Sequence, residues 1–370
     1  MKALRNYTLA ILAGFTMLTA CDSDGDSGPK TEYDRQAMLA NYADNLIVPG
    51  YEKFKTETTE LSTAVSAFTA SPSEATLANA RKEYLDAYKV WQDVMTYEFG
   101  PADDQMLRSN LNIYPTNASK IESNVSAGSY DLQAAANIDA KGFPALDYLL
   151  YGKPTDAEVT ALYTSDANAA KRKKYLQDLA NLIKQRAEAT YNSWTTANYA
   201  TTFKESAGTA VGSAVGNLVN QLNFEIDLTK RAKVGIPSGR QSANIARPET
   251  VEAYYSKNSL ELLKRALMAQ KAIFMGVSTS GTNGPGLDDY LDHVDAKYNN
   301  MLLSDAIEAQ FDAAIAAIDG VTVPLSQAVT SNPQAVSKLY EELQKLIVLT
   351  KTDMPSALGV AITYNDNDGD

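Results

Sequence analysis

The hydrophobic positions of this chain recur at three-, four- and seven-residue spacings along most of its length, which is the periodicity of amphipathic α-helices. Ser71 and Glu74 fit a capping box, and Pro72 falls at the first helical position, so a helix is predicted to begin there. Its buried face is predicted to carry Leu77, Tyr84, Tyr88, Trp91 and Met95.

The other segments follow the same pattern. An earlier apolar stripe over 39–47 predicts a helix that Pro49 and Gly50 should interrupt or kink. Further stripes occupy residues 54–68, 175–194, 211–226, 260–274, 311–318 and 339–347. No run of five or more residues alternates as a strand would, so the predicted fold is all-α, built from antiparallel helical bundles.

Two long loops suggest an internal duplication. Each half has an amphipathic helix that runs into a Gly-Pro loop and then into acidic residues, in "YEFGPADDQMLRSNLNIYPTN" and "MGVSTSGTNGPGLDDYLDHVD". We therefore predict an N-terminal bundle over 33–205 and a C-terminal bundle over 206–370, with the loops of both meeting at the seam between them. The alternative is one large irregular bundle.

The first residues read as an export signal. Lys2 and Arg5 precede a mostly apolar stretch that is too short to span a membrane, and small residues then lead to Cys21. This order resembles a bacterial lipobox, which predicts a signal peptide over 1–20, acylation of Cys21 and a flexible acidic linker over 21–32. The expected location is the outer membrane, on its periplasmic or cell-surface face. An ordinary signal peptide followed by a chance cysteine is the alternative.

The amino-acid composition limits the kinds of binding partner that are expected. The chain has 45 acidic and 33 basic residues and a formal net charge of −12, so nucleic acid is not an expected partner. Cys21 is the only cysteine, which excludes an intrachain disulfide. The expected partners are the membrane, through lipidated Cys21, a small ligand or metal ion, and another envelope protein.

Familiar catalytic motifs are missing from the sequence, and His293 is its only histidine. In a helix, Asp289 and Asp292 would share one face with His293 and could offer ligands to a metal ion. The alternative is that these acids gather at a helix N-terminus because the helix dipole favours them there. The terminal "NDNDGD" resembles the start of a calcium loop, but the chain ends before the acid that would complete it, so a frayed terminus is preferred.

One segment carries a family resemblance. "GFPALDYLLYG" resembles the Gly-x-His-x-x-Glu signature of imelysin-like proteins, the imelysin or insulin-cleaving membrane-protease family. The matching positions are Gly142, Phe143, Pro144, Asp147 and Tyr148, with proline in place of the histidine and aspartate in place of the glutamate. Further similar blocks cover most of the chain, among them "FGP" at 99–101, "GIP" at 235–237 and "ARPETVEAYYSKNSLELL".

The resemblance implies an exported, often lipid-anchored protein of two helical bundles. It also implies either a metallopeptidase or a component of iron or haem uptake. Since Pro144 has no side-chain donor or acceptor, the metal site of a peptidase would lack its imidazole, and we expect a binding role instead. No cofactor follows from the residues, and iron or haem is a candidate ligand only through the resemblance. A third hypothesis is that the protein is a non-catalytic scaffold at the cell surface.

Asp147 is expected to be the centre of the site. Its apolar neighbours predict burial, and a buried carboxylate needs a partner, for which Arg108, Lys233 and Arg240 are candidates. Two roles are possible for Asp147, one in an interdomain salt bridge and the other in a polar ligand pocket. The proposed ligand-binding residues are Glu98, Arg108, Tyr114, Lys233, Arg240, Glu252, Tyr255 and Ser256, and the candidate metal ligands are Asp147, Asp289 and His293.

Overall fold

The structure, a computed structural model, describes residues 32–364, and from Asp34 onward these form one compact unit. The predicted signal peptide, Cys21 and the acidic linker up to residue 31 lie outside the described residues, as do residues 365–370 of the tail. The predicted boundary at 205/206 falls in the connection between two helices. The division into two bundles stays a prediction.

The described residues are predominantly helical with almost no strands, which confirms the all-α prediction. The internal duplication is not confirmed. The α-helices are α1 (Arg35–Asn41), α2 (Val48–Ala70), α3 (Glu74–Val94), α4 (Pro101–Asp104), α5 (Leu107–Leu111), α6 (Ala118–Ala127), α7 (Gly142–Tyr151), α8 (Asp156–Leu162), α9 (Ala169–Thr195), α10 (Tyr199–Glu205), α11 (Ala214–Leu228), α12 (Ser259–Phe274), α13 (Leu287–His293), α14 (Leu303–Asp319), α15 (Leu325–Ser331), α16 (Pro333–Val348) and α17 (Met354–Leu358).

The remaining elements are short. Two-residue strands β1 (Lys297–Tyr298) and β2 (Met301–Leu302) pair as an antiparallel hairpin. The 3₁₀ segments are Met95–Tyr97, Ala135–Ala140 and Pro248–Thr250. No helix among residues 32–364 is long and apolar enough to cross a membrane.

Three π-helical segments each precede a proline by two residues. They are Tyr42–Ile47, Thr229–Gly235 and Leu349–Asp353, and the prolines are Pro49, Pro237 and Pro355. In each case the residue just before the proline donates its N–H to the carbonyl five residues earlier. A proline lacks an N–H and its ring clashes with the carbonyl four residues back, so the wider turn accommodates it. The interruption predicted at Pro49 is therefore a widened turn, after which α2 continues.

Helix α3 is central to the core. It packs against α2, α7 and α12, while α14 packs against both α12 and α16. The predicted face of α3 is buried, from Leu77 to Met95. The start of this helix was predicted wrongly, because the capping box is formed by Ser73 and Thr76 rather than by Ser71 and Glu74. Pro72 consequently precedes the helix.

Candidate functional site

The motif segment forms α7, whose first residue must be glycine. Gly142 has a φ of 74°, and a Cβ built on it would lie 2.2 Å from the carbonyl oxygen of Leu111. Only glycine tolerates both the backbone conformation and this close approach. Pro144 is the third residue of the helix, where a missing N–H costs no hydrogen bond. Phe143 stacks on Tyr88 of α3 at 4.5 Å between ring centroids, which fixes α7 against the core.

Asp147 projects from α7 to a buried position, where its carboxylate accepts hydrogen bonds from three residues. The backbone N–H of Tyr255 lies 2.7 Å from Oδ2 and that of Ser256 lies 3.2 Å from Oδ1. The hydroxyl of Tyr84 donates to Oδ1 at 3.1 Å. The side chain is only 1% exposed, so these bonds replace its hydration. Asp147 therefore ties the 251–257 loop to α3 and α7.

The 251–257 loop carries backbone strain on both sides of the residues that Asp147 binds. Ala253 and Lys257 have φ values of 51° and 64°, a region that residues with a Cβ rarely adopt. Such conformations persist when surrounding interactions hold them. The hydrogen bonds from Tyr255 and Ser256 to Asp147 supply part of that restraint. Tyr148 adds an edge-to-face contact with the Tyr255 ring at 5.1 Å.

Burial raises the pKa of Asp147 to about 6, although the hydrogen bonds from Tyr84, Tyr255 and Ser256 oppose the shift. The same burial, together with the neighbouring carboxylate, raises the pKa of the Tyr84 phenol. At neutral pH the pair is therefore a carboxylate that accepts a hydrogen bond from a neutral phenol.

None of the three predicted cationic partners reaches Asp147. Arg108 pairs with Glu225, Lys233 pairs with Glu252, and Arg240 donates to Ser337 and Glu341 on α16. Of the two alternatives left open for Asp147, a salt bridge to one of these three residues is therefore not formed. The physical reason is that two backbone N–H groups and a phenol already satisfy the carboxylate. Arg240 is exposed, and its guanidinium lies against α16.

Glu252 is the centre of a second buried network. Its Oε1 accepts from Asn112 at 2.8 Å, from Tyr88 at 3.2 Å and from Gln92 at 3.3 Å. Its Oε2 binds Lys233, whose ammonium also donates to Gln92 Oε1 at 2.8 Å. Both Lys233 and Glu252 are at most 6% exposed in their side chains. A network so fully paired fixes the position of the 251–257 loop.

Glu98 and Arg108 form a third cluster with Glu225. The Arg108 N–H donates to Glu98 Oε1 at 2.9 Å, while Glu98 Oε2 is buried without a hydrogen-bond partner. Burial raises the pKa of Glu98 to about 7 against the opposing influence of Arg108. Burial also raises the pKa of Glu225, again opposed by Arg108.

Two cavities lie beside these clusters, and Tyr114 lines both. The first, of about 220 Å³, includes Pro144 and Asp147 in its lining, and we call it the Asp147 pocket. The second, of about 160 Å³, is lined by Arg108, Glu225 and Lys233 among others. The Asp147 pocket is lined in full by Tyr114, Pro115, Thr116, Pro144, Asp147, Glu249, Val251, Ala253, Tyr254 and Tyr255. Of the predicted ligand-binding residues, the structure thus places Tyr114 and Tyr255 at this pocket.

The predicted metal ligands do not come together. Asp289 caps its own helix by accepting the Gly286 N–H at 3.0 Å, which is the alternative given above for the acids of α13. Within residues 32–364, the one group of three metal-type ligand atoms within 4.8 Å of one another is formed by Glu57, Glu60 and Glu83, and it excludes Asp147 and His293.

The motif residues therefore do not fit a catalytic metal ion. Pro144 offers no ligand atom, and the single carboxylate of Asp147 is engaged by two backbone N–H groups and a phenol. A catalytic zinc site usually has three protein ligands and an open position. No hydrolytic step through a metal follows from this arrangement.

Sequence reasoning missed Tyr84, Tyr88, Gln92 and Asn112 as members of the polar networks. The spacing of Tyr84 and Tyr88 predicts only that they lie on the buried face of α3. A usable signal was present, because a buried tyrosine hydroxyl needs a hydrogen-bond partner. The adjacent Gln92 is fully buried, so it has the same requirement.

The imelysin family model (Peptidase_M75) matches residues 47–352 of this chain. The chain is 21% identical over 310 residues to "Iron-regulated protein A" of Synechococcus elongatus, covering 80% of each sequence. A crystal structure of a candidate iron-regulated protein A precursor from Parabacteroides distasonis superposes with a TM-score of 0.74 at 21% identity, covering 90% of this chain and 98% of that one. An imelysin-like protein from Psychrobacter arcticum gives a TM-score of 0.62 at 15% identity, covering 89% and 97%. These two structures show a shared fold.

Proposed function

Because this chain belongs to the imelysin family, we propose that it is a lipid-anchored envelope protein that binds an iron-bearing ligand, such as a ferric complex or haem, at the Asp147 pocket and the surface directly beside it. In this proposal the pocket lies in the cleft between two bundles, and the protein takes part in iron uptake rather than in peptide cleavage.

The observation that carries the binding role is the state of the motif carboxylate. Asp147 is buried and holds the 251–257 loop through Tyr255 and Ser256, so it shapes a wall of the pocket instead of presenting a free base. A general base must reach the proton that it abstracts, and an activating metal needs several ligands. With Pro144 at the histidine position, neither requirement is met.

The connection with iron rests on the relatives and on the chemistry of the pocket. The similar protein of Synechococcus elongatus is described as iron-regulated. The pocket lining offers polar oxygen atoms from Tyr114, Tyr255 and Glu249, which can hydrogen-bond to the oxygen-rich ligands that ferric iron prefers.

Calorimetric titration tests this function directly. The protein from Cys21 onward is titrated with ferric citrate, with ferrous iron under nitrogen, and with haemin. We expect saturable heat with at least one of the ferric complexes. Absence of heat with all three would remove the iron role, and a scaffold function would then be preferred.

A protease assay separates binding from hydrolysis. The protein is incubated with an unfolded protein substrate with and without a chelator, beside an Asp147→Asn variant. We expect no cleavage in any sample. Chelator-sensitive cleavage that disappears in the variant would establish the metallopeptidase reading instead.

The lipid anchor has its own test. Cells that express the full chain are labelled with a radioactive fatty acid, and a Cys21→Ser variant is the control. Label on the wild-type protein alone, with the protein in the outer-membrane fraction, is the expected result. An unlabelled wild-type protein in the soluble fraction would contradict the anchor.

A further inference from the structure

A large open groove adjoins the Asp147 pocket. It has a volume of about 600 Å³ and shares Tyr254 and Tyr255 with the pocket. Its other principal walls are Arg81 on α3, Tyr151 at the end of α7, and the lysines at 153 and 257. We call it the Arg81 groove. Since the two spaces share a wall, a ligand held in the groove would lie next to the pocket.

The groove is basic on an acidic protein. Its lining carries Arg81, Lys153 and Lys257 against the single acid Asp156, whereas the whole chain has 45 acids and 33 basic residues. Arg81 binds Asp156 at 2.6 Å, but neither lysine makes a salt bridge within residues 32–364. Both lysines are exposed. Two exposed cations without a salt bridge, beside a charge-neutral pair, create a local positive potential that favours an anion, although Lys153 also acts on Glu122.

The walls between the cations are aromatic. The Tyr254 and Tyr255 rings meet edge to face at 5.1 Å, and the Arg81 guanidinium lies 4.5 Å from the centre of the Tyr151 ring. Tyrosine rings supply apolar surface together with a hydroxyl that can hydrogen-bond. The groove therefore suits an organic anion with carbon surface better than it suits a bare inorganic ion.

The neighbouring pocket is poorly suited to a bare ferric ion, because the second carboxylate in its lining, that of Glu249, is exposed. Its one buried carboxylate, Asp147, is already engaged by Tyr84 and by the 251–257 loop. Burial raises the pKa of Tyr114 and of Tyr255, which disfavours the phenolate forms that would bind iron strongly. The oxygen donors that ferric iron requires must therefore arrive with it.

We infer that the Arg81 groove binds iron as an intact ferric chelate with free carboxylates, which contact Lys153 and Lys257 while the carbon framework packs on Tyr151 and Tyr254. This inference rests on the proposed function and names the chemical class of its ligand. Both a ferric hydroxycarboxylate and haem, with its two propionates, have this chemistry. No bond from the protein to the iron is required.

Charge reversal in the groove is the test. The full mature chain and a Lys153→Glu/Lys257→Glu variant are titrated calorimetrically with ferric citrate, haemin and citrate alone at low salt. The control is Lys173→Glu/Lys184→Glu, which makes the same charge change on α9, outside the groove. We expect the groove variant to weaken binding of the chelate by about a hundredfold, roughly tenfold for each lysine, and the control to change it less than about threefold.

The outcomes separate the inference from the proposed function. Lysine-dependent binding of ferric citrate assigns a hydroxycarboxylate complex, and the same result with haemin assigns haem. Equal binding by the wild type and the groove variant would overturn the Arg81 groove as the binding site and leave the proposed iron-binding function intact. Binding of citrate alone as tightly as ferric citrate would overturn iron as part of the ligand. No binding of either chelate by the wild type would overturn the proposed function itself.

Discussion

Replacing Asp147 with alanine should destabilise the protein, and by more at acidic pH than at neutral pH. The change leaves the Tyr84 hydroxyl and the N–H groups of Tyr255 and Ser256 without their acceptor. A buried donor without a partner costs about 2 kcal/mol, so three cost about 6 kcal/mol. This loss is largely independent of pH.

An opposing contribution does depend on pH. Burial raises the pKa of Asp147 from 3.8 to about 6, so the native state binds more protons than the unfolded state between these values. The Asp147 carboxyl therefore stabilises the native state fully below pH 3.8, its pKa in the unfolded chain. Its contribution to the free energy of unfolding falls by about 3 kcal/mol in total as the pH rises through about 6. The alanine variant has no carboxyl at this position, so its stability does not fall with pH for this reason. The net destabilisation is about 5 kcal/mol near pH 4.5 and about 3 kcal/mol near pH 7.5.

Urea unfolding at both pH values measures the effect, with the fluorescence of buried Trp91 and Trp194 as the signal. Asp147→Asn is the matched control, because it keeps the size and one acceptor oxygen but cannot ionise. It should lose less stability than alanine at either pH. An alanine variant as stable as the wild type near pH 4.5, or a loss that does not change with pH, would refute this account of the carboxylate.

Three further changes probe the surroundings of the site. Glu98→Gln should raise the free energy of unfolding above pH 8 by up to about 3 kcal/mol, because the raised pKa of about 7 makes the ionised glutamate costly there. Urea unfolding at pH 5 and pH 8.5 measures this change, and a gain in stability confined to pH 5 would contradict it. Gly142→Ala should lower the melting temperature, because the positive φ and the contact with the Leu111 carbonyl together cost more than about 3 kcal/mol. A variant that melts at the wild-type temperature in a calorimeter would disprove the close approach of Gly142 to Leu111. Lys233→Met should lower the free energy of unfolding by about 3–5 kcal/mol, because it leaves the Glu252 carboxylate buried without its cation. Adding Glu252→Gln should restore part of that stability. A double variant no more stable than Lys233→Met would argue against the Lys233–Glu252 ion pair.

The local features of the fold were largely predictable from the sequence. The buried face of α3 follows from the spacing of Leu77, Tyr84 and Tyr88, and helical periodicity alone indicated an all-α protein. The errors at helix ends were small, as where Ser73 rather than Ser71 caps α3. The widened turn before Pro49 shows why a proline does not always end a helix, since a change of hydrogen-bond register removes the clash.

The backbone hydrogen bonds to Asp147 could not be predicted, although Tyr255 and Ser256 are among the proposed ligand-binding residues. Ser256 lies 109 residues from Asp147 in sequence, and it binds through a backbone N–H that any residue except proline would offer. Residue types therefore carry no signal for this contact, and a search for a charged partner led to Arg108, Lys233 and Arg240 instead. The motif did identify α7 as the element to examine. The basic Arg81 groove became visible only when α3, α7 and the 251–257 loop were placed together.

The most direct measurement is an anomalous difference map at the iron absorption edge, from crystals of the mature protein soaked in the ferric chelate that binds in solution. If the protein holds iron as a chelate and does not use it for cleavage, the peak will lie in the Arg81 groove beside Lys153 and Lys257, with no protein atom bonded to the metal. A peak bonded to Asp147, with His293 or another side chain completing its coordination beside Pro144, would contradict that account.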